Sequence, residues 1–455
     1  MNNTTRIDIQ RFINDSPFSR YQWLILALCF ITVAIDGFDT AIIAFIASDL
    51  VQEWGVQKAD LGPVMSAALV GLAVGALTAG PLADRVGRKK VLVLSIFVFG
   101  SFSLLTAFAT SLNSLALLRF LTGLGLGAAM PNAATLMSEY APERRRALLV
   151  NLMFVGFPIG SSMGGFISAW LIPHFGWQSV LILGGVMPLM LAVVLIFMLP
   201  ESARFLVVHN KPQAQIAAIL KRIAPLGQNP HFVLHETGQH DNEAKSAIGV
   251  IFSPRYRVGT VMLCLTYFMG LLIFYMLTSW LPLLIRETGA SLREASIITA
   301  LFPLGGGIGV LIIGALMDRL NANKVVAIGY LLTGVFVCLI GFATSSLVLM
   351  GIAVFIAGTI MNGAQSSMPA LAAGFYPTHG RATGVAWMLG IGRFGGILGA
   401  FSGALLLQYQ LSFRTIFMLL AIPAVLSALA LIVKYRASLR NAHSSPELTK
   451  VVQKA

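Results

Sequence analysis

Runs of about twenty apolar residues, broken by short polar stretches, recur from residue 22 to residue 435. Each run has the length of a helix that crosses the hydrocarbon of a bilayer. The pattern predicts twelve such helices, near 22–47, 61–83, 91–110, 114–138, 147–172, 178–199, 256–285, 294–317, 325–344, 347–372, 382–407 and 413–435. An even number returns both termini to one side. The expected class is an all-α membrane protein of twelve transmembrane helices, with polar tails and one long polar segment at 200–255.

Composition agrees: 57% of the 455 residues are hydrophobic, 11% are charged and the mean hydropathy is +0.82. Soluble domains carry roughly 25% charged residues. The polar start "MNNTTRIDIQRFINDSPFSRYQW" has no short apolar core before a cleavage site, so no removable signal is expected. Cys29, Cys264 and Cys338 fall in apolar runs and imply neither a disulfide framework nor a metal cluster. No cofactor is expected.

A net charge of +13 invites a nucleic-acid reading, but the placement of the basic residues argues otherwise. Of 31 Lys and Arg, 25 fall in the tails and in the loops on the side of the termini. Four, Lys58, Arg286, Arg293 and Arg414, fall on the other side. That bias predicts cytoplasmic termini and a lipid bilayer as partner, not nucleic acid. The last two, Arg119 and Arg393, lie inside spans, as do Asp36 and Asp39 alone among the acids. The predicted interior thus holds two acids and two arginines, as paired buried charges should.

The chain repeats. "GPLADRVGRKKVL" (80–92) is echoed by "GALMDRLNANKVV" (314–326), and "APERRRALLV" (141–150) by "YPTHGRATGV" (376–385). The expected organisation is an N-terminal six-helix bundle (1–200), a cytoplasmic linker (201–255) and a C-terminal six-helix bundle (256–455). Transporters are commonly built from such repeats, with the substrate held between them near the midplane. The four interior charges do not repeat: a shift of 234 carries Asp36 to Gly270 and Asp39 to Ile273. Charges needed only for architecture would recur in both halves, so this asymmetry points to function.

"GPLADRVGRKK" resembles the signature loop of the major facilitator superfamily, with a weaker second copy where one is expected. "GFPIGSSMGG" (156–165) resembles its glycine–proline motif, although Phe157 precedes Pro158. "PESARFLV" (200–207) is similar to the ending of the sixth span in sugar porters. "DGFDT" (36–40), "LRFLTGLGLGAAMPNA", "NGAQSSMPALA" and "GRATGVAWMLGIGRFGGILGA" resemble the aromatic acid:proton symporter family, nearly along the whole chain. This resemblance implies a proton-coupled importer of an aromatic carboxylate, of the 4-hydroxybenzoate, protocatechuate or benzoate type. It also implies a multi-pass protein of the inner membrane that works as a monomer and catalyses no covalent chemistry. Asp84 and Arg88 are then expected to lock the cytoplasmic gate, with Asp318 and Arg319, the counterparts of Asp84 and Arg85, as gate candidates in the second copy.

The residues themselves support such a reading. Asp36 and Asp39 share one helix face. They lie about 20 and 24 Å along the helix from Trp23, too deep to reach water freely. An aspartate that gains and loses an arginine neighbour can load and release a proton; the alternative is a static ion pair that docks helices. Arg119 opens the fourth span and either snorkels outward or pairs with Asp39 at the same depth. The proton-coupling candidates are therefore Asp36, Asp39 and Arg119. Arg393, eleven residues into its span, keeps its charge and can grip a carboxylate with two N–H groups. Its alternative is a packing role within "GIGRFGGILG". Phe38, Tyr267, Phe274, Tyr275, Trp280 and Trp387 are candidates for the ring. Asn362 and Gln365, with Asn132 and Asn151 as weaker choices, could bind a ring hydroxyl. The alternative function is a proton-coupled sugar or other organic-anion carrier of the same fold, of which the sugar carrier would not require Arg393.

Overall fold

The structure is a computed structural model that describes residues 5–226, 230–233 and 244–443. Twelve of its helices are long and apolar enough to cross a membrane. They are α1 (Arg20–Trp54), α2 (Lys58–Val86), α3 (Arg88–Thr106), α4 (Leu112–Tyr140), α5 (Glu143–Phe175) and α6 (Gln178–Met198). The second six are α7 (Arg257–Glu287), α8 (Leu292–Arg319), α9 (Ala322–Ser345), α10 (Leu347–Phe375), α11 (Thr383–Gln408) and α12 (Phe413–Leu439). Helix is the form that satisfies every backbone group where no water is available.

Local chemistry sets the ends. Ser111, Ser291, Asn321 and Ser346 cap α4, α8, α9 and α10, each accepting a hydrogen bond from the backbone N–H three residues on. In α8 Glu294 returns the bond to Ser291. The span α5 is broken after Phe154, four residues before Pro158, which has no N–H to give the Phe154 carbonyl.

The chain divides into two compact units. One comprises Met1–Thr40, Ala67–Gly160 and Gln178–Gly238; the other comprises Ala41–Ser66, Ser161–Trp177 and Gln239–Ala455. Within the first, the backbones of α2 and α4 touch: a Cβ on Gly71 would lie 2.1 Å from the Phe120 carbonyl oxygen. Within the second, the equivalent pair on α8 and α10 is Gly305 and Phe355, at 2.3 Å. Likewise a Cβ on Gly160 of α5 would lie 1.7 Å from the Ala34 carbonyl oxygen of α1, and one on Gly395 of α11 would lie 2.1 Å from the Phe268 carbonyl oxygen of α7. Each partner is displaced by 234 or 235 residues, the spacing of the loop repeat. Glycine is what permits these crossings, since association in lipid relies on close packing rather than on exclusion of water.

Two features were not foreseen. The polar N-terminal tail and the linker fold together in the first unit. There β1 (Thr5–Asp8) pairs in parallel with β2 (Pro230–Val233), with Thr5 opposite Pro230 and Asp8 opposite Val233. The helix Ile9–Asp15 that follows is capped by Asp8 and buries Ile9 and Ile13 in the same core as Ile216, Leu220 and Phe232. The second feature is Lys434. It is counted above with the basic C-terminal end, yet it lies inside α12, 3% exposed, donating to Asn323 Oδ1 at 2.7 Å. Its ammonium also sits 4.9 Å from the centre of the Phe375 ring. The interior therefore holds a third cation.

Candidate functional site

The site residues of the first unit are set by α1. Its Gly37 lets the Phe157 carbonyl of α5 approach to 2.1 Å from where a Cβ would stand. That close crossing leaves Asp36 and Asp39 wholly buried, at 1% and 0% exposure. Asp39 meets Arg119, itself 0% exposed: Nη1 lies 3.2 Å from Oδ1 and 3.0 Å from Oδ2, and Nη2 donates to the Asp39 carbonyl at 3.2 Å. Ser103 of α3 donates to Oδ1 at 2.6 Å. Arg119 does not snorkel; both its Nη groups face Asp39. An ion pair this deep is held by charge-assisted bonds, and losing either partner strands the other charge. Asp36 Oδ1 accepts from Thr40, one turn on, at 3.4 Å. Ser103 is a site residue that sequence reasoning missed, because one serine in an apolar helix carries no signal until the helix's rotation is known. Phe38, between the aspartates, is buried.

The loop between α2 and α3 also belongs to the first unit. Arg88 pairs with Asp84 at 2.9 Å and with Glu139, at the end of α4, at 3.3 Å. The Asp84 side chain is 69% exposed and that of Glu139 10%. Gly87 turns here with φ +113°, open mainly to glycine. A Cβ there would also meet Glu201 Oε2 at 2.3 Å. Glu201 Oε1 accepts from the Lys89 backbone N–H, capping α3, so two motifs 112 residues apart close on each other. Asp318 and Arg319, the second copy, are both exposed. Glu139 was not among the expected gate residues, yet it is the more buried partner. Glu139→Gln should therefore shift cysteine accessibility at this end more than Asp84→Asn, since the ion pair it removes lies in the more buried place, where charges attract more strongly. A larger shift from Asp84→Asn would move the anchor to Asp84.

In the second unit α11 packs on α7 through its glycines. Gly392 faces Tyr267, Gly396 faces Tyr275 and Gly399 meets the Leu272 carbonyl. Packing is thus carried by the residues around Arg393. Arg393 is half-buried, and the residue before it, Gly392, faces the Tyr267 ring. Gln365 of α10 accepts from the Tyr330 hydroxyl of α9 at 2.5 Å and donates to the Tyr267 carbonyl at 3.5 Å. Tyr330 is fully buried and was another omission. Asn362 donates back to the Gly358 carbonyl of its own helix at 2.8 Å and packs on Gly306. Phe274 stands edge-on to Tyr275 at 5.1 Å and 6.0 Å from Phe302.

Several ring and amide candidates are placed elsewhere. Trp387 is 41% exposed and stands edge-on to Phe252 at 5.4 Å. It precedes Arg393 by six residues, about 9 Å along the helix. Trp280 is core: it is fully buried and donates to the Ala400 carbonyl at 2.6 Å. Asn132 donates to its own helix at Ala128, and Asn151 is exposed. The second unit also holds ion pairs that join the two repeats. Asp49 of α1 pairs with Arg286 of α7 at 3.1 Å, and Lys58 of α2 pairs with Glu287.

Twelve spans in two repeats, with an acid–arginine pair buried in the first and an arginine inside the second, define a multi-pass membrane transporter. The chain matches the profile of the Major Facilitator Superfamily over residues 29–287 and 263–454, and it belongs to that superfamily. It is 54% identical to the 4-hydroxybenzoate transporter PcaK of Pseudomonas aeruginosa, covering 94% of this chain and 96% of that one. To a gallate transporter of Pseudomonas putida it is 50% identical, covering 95% and 96%. Among solved structures, the inward open conformation of the xylose transporter XylE from E. coli aligns with a TM-score of 0.71 at 17% identity, covering 90% of this chain and 96% of that one. That likeness concerns the fold alone.

Proposed function

We propose that this protein imports an aromatic carboxylate of the 4-hydroxybenzoate type together with protons, across the inner membrane and as a monomer. The observation that carries the reading is the 54% identity, over nearly all of both chains, to a 4-hydroxybenzoate transporter. The basic loops favour cytoplasmic termini. Arg393 receives the carboxylate, while Tyr267 and Phe274 offer ring surface and Gln365 a hydrogen bond. Asp39, with Arg119 as its switchable partner, and Asp36 carry the proton. The six-helix halves, 1–200 and 256–455, joined by 201–255, exchange access around the bound substrate. The pairs Asp49–Arg286 and Lys58–Glu287 hold the outer side closed. Arg88, between Asp84 and Glu139, serves the inner side, with Asp318 and Arg319 in the second copy.

Uptake into proteoliposomes tests this directly. Labelled 4-hydroxybenzoate should accumulate above its external concentration when an inward proton gradient is imposed, and a protonophore should abolish the accumulation. Xylose in the same vesicles should not accumulate. Accumulation of the sugar, or indifference to the gradient, would overturn the reading.

A further inference from the structure

Serines and threonines inside helices usually spend the hydroxyl on the carbonyl one turn back. Ser95, Thr122, Thr266 and Ser367 do so here, at 2.6–2.8 Å. Among the described residues four buried hydroxyls find no partner: Ser168, Thr278, Ser296 and Thr299. All four belong to the second unit, on α5, α7 and α8. A buried polar group without a partner costs free energy, so each one calls for a reason.

The four fall into two pairs. Thr278 and Thr299 line a cavity with Phe45, Ser161, Leu277 and Phe302, which has room for about one water molecule. Water there can serve both threonines. Ser168 and Ser296 do not line it, and both are 0% exposed. They flank a tight crossing of α5 and α8. A Cβ on Gly165 of α5 would lie 2.7 Å from the Ala300 Cβ and 3.0 Å from the Ser296 carbonyl oxygen, both on α8. Ser168 follows Gly165 by three residues and Ser296 precedes Ala300 by four, so each stands about one turn from the crossing. Helices this close leave no layer of water between them. The same end of this unit carries two ion pairs, Asp49–Arg286 and Lys58–Glu287. The ion pairs favour this arrangement, and the two stripped hydroxyls disfavour it.

We propose that Ser168 and Ser296 are a release device at the outer end: closure strips both hydroxyls of water and replaces it with nothing, which keeps the closed state shallow enough to reopen. This rests on the proposed exchange of access between the two sides. A carrier has to leave each state in turn, so its states must lie close in free energy. Parting α5 from α8 returns both serines to water, whereas the threonines at the cavity gain little from the same movement.

A cysteine at the cavity reads how often this end opens. Ser161→Cys is close to isosteric, and Ser161 is 4% exposed in the arrangement described. A membrane-impermeant maleimide is applied to right-side-out vesicles carrying the full-length protein with this change, and the same protein without it gives the background. Adding Ser168→Ala or Ser296→Ala should slow labelling about fivefold or more, because the closed state no longer holds a stripped hydroxyl. Thr299→Val, whose hydroxyl water can reach in the cavity, should change the rate less than about twofold. Unchanged or faster labelling in both serine variants would overturn the proposal. So would an equal slowing in Thr299→Val, since packing alone would then explain the effect. Labelling needs no substrate, so the identity of the cargo does not enter. If Ser161→Cys alone never labels from outside, the proposed exchange of access is refuted and the release device with it.

Discussion

Asp39→Asn should abolish proton-driven accumulation and also destabilise the protein. Two causes act together. Asparagine cannot carry a proton, so substrate should rise only to the level reached without the gradient. The change also leaves Arg119 fully buried without its carboxylate, and breaking a buried pair costs about 3–5 kcal/mol. Asp39→Asn with Arg119→Gln removes both charges. That double variant should regain much of the lost thermal stability, because no stranded charge remains, yet still fail to accumulate. The pair of measurements separates folding from coupling. Asp36→Asn should also end accumulation, because it removes the second of two aspartates buried in α1, but it leaves the Asp39–Arg119 pair intact and should melt close to the wild type. Exchange of external for internal substrate needs no net proton movement and should survive in Asp36→Asn. Full accumulation by Asp36→Asn/Asp39→Asn would end the case for either residue as carrier. The aspartate variants probe proton coupling and not the class of substrate, since a sugar or organic-anion carrier of this fold would also need a titratable group.

Much of this was legible along the chain, for identifiable reasons. Span number follows from runs of apolar residues, because the bilayer sets their length. Depth made the Asp39–Arg119 pair one of two readings of Arg119, the other being a side chain that snorkels outward. What stayed hidden depends on how each helix is turned. Ser103 and Tyr330 look like ordinary residues of apolar helices until they are seen facing Asp39 and Gln365. Glu139 reads as the polar end of α4, and only the fold brings Arg88 against it. Lys434 reads as a basic residue near a terminus, yet the helix continues to Leu439 and buries it. The Thr5–Asp8 strand carries no signal because its partner, Pro230–Val233, lies across the whole first repeat. The glycines at 71, 160, 305 and 395 carry the repeat more faithfully than the loops do, but as isolated letters they are indistinguishable from the rest of the 44.

The last expected result concerns Arg393. An aromatic carboxylate stays charged at neutral pH and must meet a fixed cation once it leaves water. Three cations are candidates within the spans. Arg119 already holds Asp39 through both carboxylate oxygens and the backbone, and a substrate there would have to break a fully buried pair. Lys434 is bound to Asn323 at the start of α9 and has one ammonium rather than a planar fork. Arg393 is half-buried and follows Gly392, which faces Tyr267, in the repeat opposite the aspartates. A substrate held there and a proton held on α1 would load the two halves separately, so that closure can require both. Arg393→Ala should weaken binding by about 2–5 kcal/mol, roughly thirtyfold or more. Arg393→Lys keeps the charge but not the two parallel N–H groups, and should fall between that variant and the wild type. Lys434→Met should bind within about threefold of the wild type if the carboxylate never meets Lys434, since changes remote from a contact usually stay under half a kcal/mol. Calorimetry with 4-hydroxybenzoate measures all three. Near-wild-type affinity in Arg393→Ala together with lost binding in Arg119→Ala would exchange the roles of the two arginines. The Asp39–Arg119 pair would then be the lock that substrate opens.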